Sequence, residues 1–260
     1  MKRVIGHRGA KNLWPENGLT GFRNVLGLGV AGVEFDVHPT KDGDLAVIHD
    51  STLDRTTNGK GPVAARSMAE LRALRLNGGD EGVPSLDEVL DVLGPTGVEL
   101  HVELKVDSDG APYPGLEERV VDHLHRRGLA RRSVATSFWP DVLHRLRAAF
   151  PDGRLLASVN ENSASKLGGL DAFLLAVDAA RVDYVAVHHA LLAREMDLFL
   201  RRVGALRLGA WVVNEPPDVA RWLAAPVTLI TTDRPDLFPA AIRNAATDHA
   251  PAAPAAHRTP

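Results

Sequence analysis

The sequence predicts an α/β fold, a (β/α)8 barrel that carries a small insertion after its second strand. The chain has 260 residues, and barrels of this kind typically have roughly 250. Short β-branched runs alternate with longer amphipathic runs, which favours parallel strands connected by helices. The first strand-to-helix turn reads HRGAKNLWPENG and lacks the GxGxxG fingerprint that an open dinucleotide-binding sheet would carry there. We therefore predict the closed barrel.

Eight runs have the length and composition of buried strands. They are residues 3–7, 33–37, 98–106, 133–138, 155–159, 183–187, 209–213 and 228–232. Helical stretches between or after them include residues 115–129, 141–150, 193–204, 216–225 and 236–246. Pro216 and Pro217 suit the first turn of a helix, and Gly128 and Gly204 suit helix ends.

A further extended run, residues 45–50, follows the second strand after only the connection PTKDGD. A parallel partner would need a crossover of about a dozen residues, so we interpret this run as the return strand of a hairpin. The segment that follows, about residues 51–84, is the predicted insertion. We expect the barrel domain to span residues 1–245 and the Ala/Pro-rich residues 246–260 to form a disordered tail.

The composition excludes several classes of protein. Lys and Arg number 30 against 33 Asp and Glu, a formal net charge of −3, whereas binders of nucleic acid usually carry a strong basic excess. The chain has no cysteine, which excludes disulfides, thiolate nucleophiles and cysteine-ligated zinc. No run approaches the ~20 apolar residues of a transmembrane helix. The N-terminal MKRVIGH lacks the apolar core of a secretory signal, so we expect a cytoplasmic protein.

Two predicted strands carry acidic residues that should point into the barrel. Glu34 and Asp36 lie two positions apart on the second strand and share one face, whereas Phe35 lies on the other. Glu103 repeats this pattern on the third strand. Inward-facing carboxylates are costly unless a cation pairs with them, and an oxygen-only set suits Mg²⁺ or Ca²⁺ better than zinc. The sequence therefore predicts a divalent-cation site.

Two of the eleven histidines lie beside the acidic residues at the predicted mouth of the barrel, where the active sites of such barrels form. His7 ends the first strand, and His49 ends the hairpin. A pair of imidazoles beside a metal-bound anion is suited to acid–base catalysis of phosphoryl transfer. Arg8 and Lys105 add positive charge that can hold phosphate oxygens.

The remaining polar candidates receive no catalytic role. We assign four histidines to helix surfaces or outer strand faces, namely His101, His123, His125 and His144. His188 and His189 are interpreted as structural. Asp50, Asn214 and Asp233 also fall at strand ends, without a specific role.

Seven sequence blocks resemble one known family. In order they are HRGAKNLWPEN, GVEFDVHPTKDGDLAVIHDSTLDRTTNGKG, VPSLDEVL, HVELK, TSF, WVVN and ITTDRP, and together they resemble the glycerophosphodiester phosphodiesterases. The similarity runs from about residue 4 to about residue 240. It implies metal-dependent hydrolysis of small-molecule glycerophosphodiesters to sn-glycerol 3-phosphate and an alcohol.

The resemblance also implies roles for individual residues. His7 and His49 would be the catalytic histidines, and Arg8 and Lys105 the phosphate contacts. Trp211 resembles the aromatic wall against which the family packs glycerol, with Phe138 a second candidate for this role. The implied metal ligands are Glu34, Asp36 and Glu103.

One position departs from the family pattern. Residues 15–18 read PENG, where the family usually has PENT. Gly18 lacks a hydroxyl near a predicted helix start, so we expect an effect on helix capping rather than on chemistry.

Two alternatives to this function stay open at this point. A phospholipase D-like or phosphoinositide phospholipase C-like barrel would use a similar histidine pair, although no basic amphipathic segment suited to a lipid surface is evident. A non-catalytic barrel that only binds phosphate or a protein partner is the other alternative. The sequence leaves undetermined the preferred alcohol, the choice of metal, the oligomeric state, and whether water or a glycerol hydroxyl attacks first.

Overall fold

The computed structural model describes residues 2–239 of the chain. Within them, nine strands form one sheet: β1 (Arg3–His7), β2 (Gly32–Pro39), β3 (Leu45–Val47), β4 (Glu99–Leu104), β5 (Ser133–Ser137), β6 (Arg154–Val159), β7 (Tyr184–His188), β8 (Leu208–Trp211) and β9 (Leu229–Thr232). β1 pairs in parallel with both β2 and β9, so eight parallel strands close into a barrel. β3 pairs antiparallel with β2. The predicted barrel and its hairpin return are confirmed.

The α-helices in this range surround the barrel. They are α1 (Leu19–Leu26), α2 (Met68–Arg72), α3 (Leu86–Leu93), α4 (Leu116–Arg126), α5 (Pro140–Ala149), α6 (Glu161–Lys166), α7 (Leu170–Ala179), α8 (His189–Arg202) and α9 (Pro216–Ala224). Pro216 begins α9 as predicted. The helix predicted over 236–246 is represented by a 3-10 turn, Pro235–Leu237; its residues from 240 onward, and the tail 246–260, lie outside the described residues. None of the helices described is both long and apolar enough to cross a membrane.

The main hydrophobic core lies between the outer face of the barrel and the helices. Val33, Phe35 and Val37 alternate along β2, and all three are fully buried in this core. The ring of Phe22 on α1 meets Phe35 edge-on, with 5.8 Å between the ring centroids. Alternate residues of a strand point to opposite faces, so Glu34 and Asp36 on β2 face the barrel interior.

A smaller apolar cluster belongs to the inner face of the barrel. Ile5 lies two residues before His7 on the same face of β1. The members of the cluster are Ile5, Ala31, Val134, Leu156, Ala186 and Leu229. Because these residues precede the polar strand ends, the polar groups at the barrel mouth lie above an apolar floor.

The segment 51–84 packs around a hydrophobic cluster of its own. It contains the 3-10 helix Val63–Ala65 and the helix α2. The cluster consists of Ala46, Ile48, Leu53, Val63, Met68, Leu71, Leu76 and Val83. Ala46 lies on β3, and Ile48 is the first residue after this strand. The segment therefore packs on the hairpin.

Glu81 of this segment caps α1 in place of the absent residue-18 hydroxyl. Helix α1 begins after Gly18 without a side-chain cap from its own N-terminal residue. The backbone N–H of Thr20 donates to the Glu81 carboxylate, 3.0 Å from Oε2 and 3.3 Å from Oε1. A Cβ added at Gly18 would lie 2.3 Å from Glu81 Oε1. A threonine at position 18 and this conformation of Glu81 therefore exclude each other.

We expect Glu81→Ala to lower the free energy of unfolding by roughly 0.5–2 kcal/mol, the usual cost of removing a helix N-cap. Adding Gly18→Thr to this variant should restore most of the loss, whereas Gly18→Thr alone should change stability little, because it replaces the cap that Glu81 already supplies. Urea unfolding of the four proteins measures this double-mutant cycle. Asp80→Ala is the matched control, because Asp80 is fully exposed. Additive effects of the two substitutions would contradict the interpretation.

Candidate active site

Three buried carboxylates meet at the mouth of the barrel. Glu34 and Asp36 extend from β2, and Glu103 extends from β4 directly opposite Asp36 in the strand register. Their oxygen atoms can all lie within 4.8 Å of one another. Glu34 Oε1 is buried and has no hydrogen-bond partner among residues 2–239. Burial, with the charges of Asp36 and Glu103, raises the pKa of Glu34 well above its usual range. This donor set and its orphaned oxygen fit a divalent cation.

The neighbouring cations Arg8 and Lys105 balance part of this negative charge. Lys105 Nζ lies 2.8 Å from Asp36 Oδ1 and also contacts Glu103. Arg8 Nε lies 3.3 Å from Asp36 Oδ2, and Asn17 Nδ2 donates to the same oxygen at 2.8 Å. Burial alone would raise the pKa of Asp36, but Lys105, His49 and Arg8 hold it well below its usual range.

His7 is oriented by a carboxylate at the end of β9. Its Nδ1 lies 2.6 Å from Asp233 Oδ1, and because an ionised carboxylate only accepts, Nδ1–H must donate. Asn214 Nδ2 donates to the other oxygen of Asp233 at 2.6 Å. The opposite ring nitrogen, Nε2, lies 3.7 Å from Glu34 Oε2. Burial lowers the pKa of His7 despite the opposing effect of Asp233.

His49 is oriented in the same way from the other side. Its Nδ1 lies 2.6 Å from Asp50 Oδ1. The backbone carbonyl of His49 lies 3.1 Å from His38 Nε2, and Tyr113 Oη lies 3.1 Å from His38 Nδ1. Burial lowers the pKa of His38 to about 4, so its ring is neutral. Nε2–H then donates to the carbonyl, and Nδ1 accepts the hydrogen bond from Tyr113.

A cavity of about 230 Å³ joins these groups to an aromatic wall. Trp211 Nε1–H donates to the carbonyl of Ala186 at 3.0 Å, which fixes the indole. The ring of Phe138 meets Trp211 edge-on at 5.4 Å, and that of His188 does so at 5.2 Å. The cavity thus has a charged side formed by the histidines and carboxylates, and an apolar side suited to carbon atoms.

The assignment of His101 to an outer face is wrong. His101 is 3% exposed and lines the cavity from β4. It lies two residues before Glu103, so strand parity puts both on the inner face. Its Nε2 is 3.5 Å from Glu99 Oε2. The helical histidines differ: His144 is exposed, and His123 Nδ1 lies 2.9 Å from Asp87 Oδ1 at the surface of α4.

A sequence model described as the Glycerophosphoryl diester phosphodiesterase family matches residues 7–237. The chain belongs to this family. The glycerophosphodiester phosphodiesterase of Caldanaerobacter subterraneus is 30% identical over 241 residues, 90% of this chain and 94% of that one. That of Bacillus subtilis is 29% identical over 90% of this chain and 84% of its own. The family resemblance predicted from the sequence blocks is confirmed.

Solved structures of glycerophosphodiester phosphodiesterases share the fold. The enzyme from Agrobacterium tumefaciens superposes with a TM-score of 0.74 at 28% identity, covering 93% of this chain and all of that one. An Oleispira antarctica phosphodiesterase, solved with the product sn-glycerol-3-phosphate, superposes with a TM-score of 0.75 at 23% identity, covering 94% and 96% of the two chains.

The family's predicted site residues come together here, and several partners of these residues were missed. Seven of the eight predicted catalytic, metal and substrate residues line two adjoining cavities at the mouth, and the eighth, Asp36, is buried beside Glu34 and Glu103. The missed partners orient these residues, and two of the partners, His38 and Asp50, also line the second cavity. The full set is Glu16, Asn17, His38, Asp50, Arg55, Asn214 and Asp233. Two of these partners could have been predicted from their positions in the sequence, since Asp50 directly follows His49 and Asp233 directly follows β9.

Proposed function

We propose that this chain hydrolyses glycerophosphodiesters to sn-glycerol 3-phosphate and an alcohol in a metal-dependent reaction. The observation that carries the proposal is that the barrel mouth brings together a buried carboxylate triad, two carboxylate-oriented imidazoles and an aromatic wall. Membership of the family supports the reaction class, and the product bound to the Oleispira relative supports the glycerol phosphate half of the substrate.

The triad Glu34, Asp36 and Glu103 would hold one divalent cation, Mg²⁺ or Ca²⁺. Oxygen-only ligands are the preferred donors of both ions. When bound, the cation would supply charge neutralisation and Lewis acidity at the substrate phosphate. Arg8 and Lys105 lie against the same carboxylates, where they can bind the non-bridging phosphate oxygens and stabilise charge that builds up during transfer.

The two histidines would exchange the protons of the reaction through Nε2, because Nδ1 of each donates to a carboxylate. Burial lowers the pKa of His7, which favours the neutral imidazole and suits it to accept the proton of the attacking oxygen. His49 would then protonate the departing alcohol oxygen. Water and a hydroxyl of the glycerol itself both fit the attacking role, and only the latter route passes through a cyclic phosphate.

Release of glycerol 3-phosphate from a panel of glycerophosphodiesters tests the proposal. The protein is assayed after EDTA treatment and again with Mg²⁺, Ca²⁺ or Mn²⁺ restored. We expect no release in EDTA and recovery with at least one ion. Preferential cleavage of intact phospholipid in vesicles would favour a phospholipase instead. Phosphate binding without any hydrolysis would favour a non-catalytic barrel.

Trp211→Ala should separate glycerol recognition from phosphate recognition. We expect kcat/KM for glycerophosphocholine to fall by about 1–3 kcal/mol, the scale of one lost apolar pocket contact. An aryl phosphodiester without glycerol should be much less affected, whereas Arg8→Ala should impair both substrates equally. Leu206→Ala is the control, because Leu206 is an apolar residue that is 81% exposed and does not line the cavity. Equal losses on both substrates with Trp211→Ala would make the indole a scaffold element.

A further inference from the structure

Arg55, in the segment inserted after the hairpin, binds two carboxylates at once. Its Nε and Nη2 donate to the two oxygens of Asp50 at 2.7 and 2.9 Å. Its Nη1 and Nη2 donate to the two oxygens of Glu16 at 2.8 Å each. Both pairs are bidentate, the arrangement in which a guanidinium fixes the plane of a carboxylate as well as its distance.

Each of these carboxylates holds a residue of the proposed site. Asp50 Oδ1 accepts from Nδ1 of His49 at 2.6 Å. Glu16 Oε1 accepts from Nη1 of Arg8 at 3.0 Å. One guanidinium therefore links the imidazole on the hairpin to the phosphate-binding arginine that follows β1, through one carboxylate on each side.

We expect this bridge to fix the positions of His49 and Arg8 rather than to stabilise the fold. The Arg55 side chain is 49% exposed, and exposed ion pairs contribute little to folding. Positioning matters far more for chemistry, because a misplacement of about 1 Å can cost 10²-fold in rate. A lysine presents a single ammonium and cannot form two parallel pairs of hydrogen bonds.

We propose that Arg55 is a positioning residue that holds His49 and Arg8 in a fixed relation, so that the inserted segment is part of the catalytic machinery. The proposal rests on the proposed function only in its kinetic readout. In the chain His49–Asp50–Arg55–Glu16–Arg8, every link is a hydrogen bond between described side chains. His7 and Asp233 lie outside it.

The kinetic test compares Arg55→Ala and Arg55→Lys with the wild type on glycerophosphocholine at saturating metal. We expect kcat to fall at least about tenfold in Arg55→Ala, within the range that misplacement produces, with partial recovery in Arg55→Lys. Arg75→Ala is the matched control, because Arg75 lies in the same segment and its guanidinium donates to Asp80 rather than to a residue of the proposed site. Metal should raise the melting temperature of every variant equally, since Arg55 contacts none of the three metal-binding carboxylates.

A double variant in which both carboxylates of the bridge are replaced tests whether Arg55 positions other residues or contacts the substrate directly. In a protein carrying Asp50→Asn and Glu16→Gln, the bridge has already lost both charged partners. Adding Arg55→Ala there should change kcat by less than about twofold, as expected for residues that act as one unit. A full loss in that background would mean that Arg55 binds the phosphate itself, and unchanged kcat in the single variant would equally overturn the proposal.

Imidazole nitrogen NMR tests the same idea without activity. In Arg55→Ala, we expect the His49 Nδ1–H signal to shift or to exchange faster with water, because Asp50 is no longer held. The His7 signal should stay unchanged and serves as an internal control, since Asp233 orients it independently. An unchanged His49 signal overturns the positioning role, whereas a wild type that shows no hydrolysis refutes only the proposed function.

Discussion

Replacing Glu34, Asp36 or Glu103 with its amide is expected to abolish metal-dependent hydrolysis of glycerophosphocholine. Each carboxylate supplies a charged oxygen to the buried triad, and an amide supplies none. Loss of the cation removes several kcal/mol of transition-state stabilisation, so kcat/KM should fall by at least about 10³-fold. Steady-state rates with Mg²⁺ or Ca²⁺ in excess measure the effect.

Glu34→Gln should have two opposite effects on the melting temperature, one in the presence of metal and one in its absence. Binding of the metal to the native state alone should raise the wild-type melting temperature, with about 2.7 kcal/mol of added stability at a hundred times Kd. Glu34→Gln should lose this increase, yet it should melt at a higher temperature than the wild type when metal is absent. Because the folded pKa of Glu34 is raised, its ionised form destabilises the metal-free fold at neutral pH. The advantage of the variant should shrink as the pH falls and Glu34 becomes protonated.

Glu99→Gln is the control on the same strand. Glu99 occupies the same parity of β4 as Glu103 but pairs with Arg3 and Arg154 at the opposite end of the strand. We expect this variant to lose stability while retaining its response to metal. Full wild-type activity in excess chelator would refute the metal assignment itself.

His7→Ala and His49→Ala should each lower kcat by at least about 10²-fold, the usual cost of losing a positioned acid or base. Both variants should still fold, because the two imidazoles lie at the barrel mouth and not in the hydrophobic core. Added imidazole is expected to restore part of the activity by occupying the vacated space. The amount of glycerol 3-phosphate released at fixed times gives the rates, and circular dichroism checks that the variants are folded.

His144→Ala is the histidine control for these measurements, since His144 is an exposed residue of α5. It should leave kcat and KM unchanged. Near-wild-type kcat in His7→Ala or His49→Ala would return that histidine to a structural role and would leave the proton transfer to another group.

Local pattern was sufficient to predict the strands and the triad. Two-residue alternation along β2 predicted that Glu34 and Asp36 share the inner face, and the structure places Val33, Phe35 and Val37 in the opposite core. Applied to β4, the same rule would have placed His101 inside with Glu103. The error there came from treating that histidine separately from its strand.

The orienting contacts could not be predicted in this way. His7 and Asp233 are 226 positions apart in sequence, and they meet only because β1 and β9 close the barrel. Arg55 reaches Glu16 across 39 positions, a contact that depends on how the inserted segment folds back. Local periodicity carries no information on such pairs, whereas the order of strands in a closed barrel brings the ends of β1 and β9 together.

The apolar floor beneath the polar strand ends has a consequence for the electrostatics of the mouth. Ile5, Leu156 and Leu229 exclude water from below, so field lines between the triad and its cations run through a medium of low dielectric constant. Coulomb interactions there are several times stronger than at the surface, and mobile ions screen them much less. The apolar interior therefore strengthens the electrostatic attraction of the carboxylates for a cation and of Arg8 and Lys105 for a phosphate, and this attraction acts at the open end of the barrel.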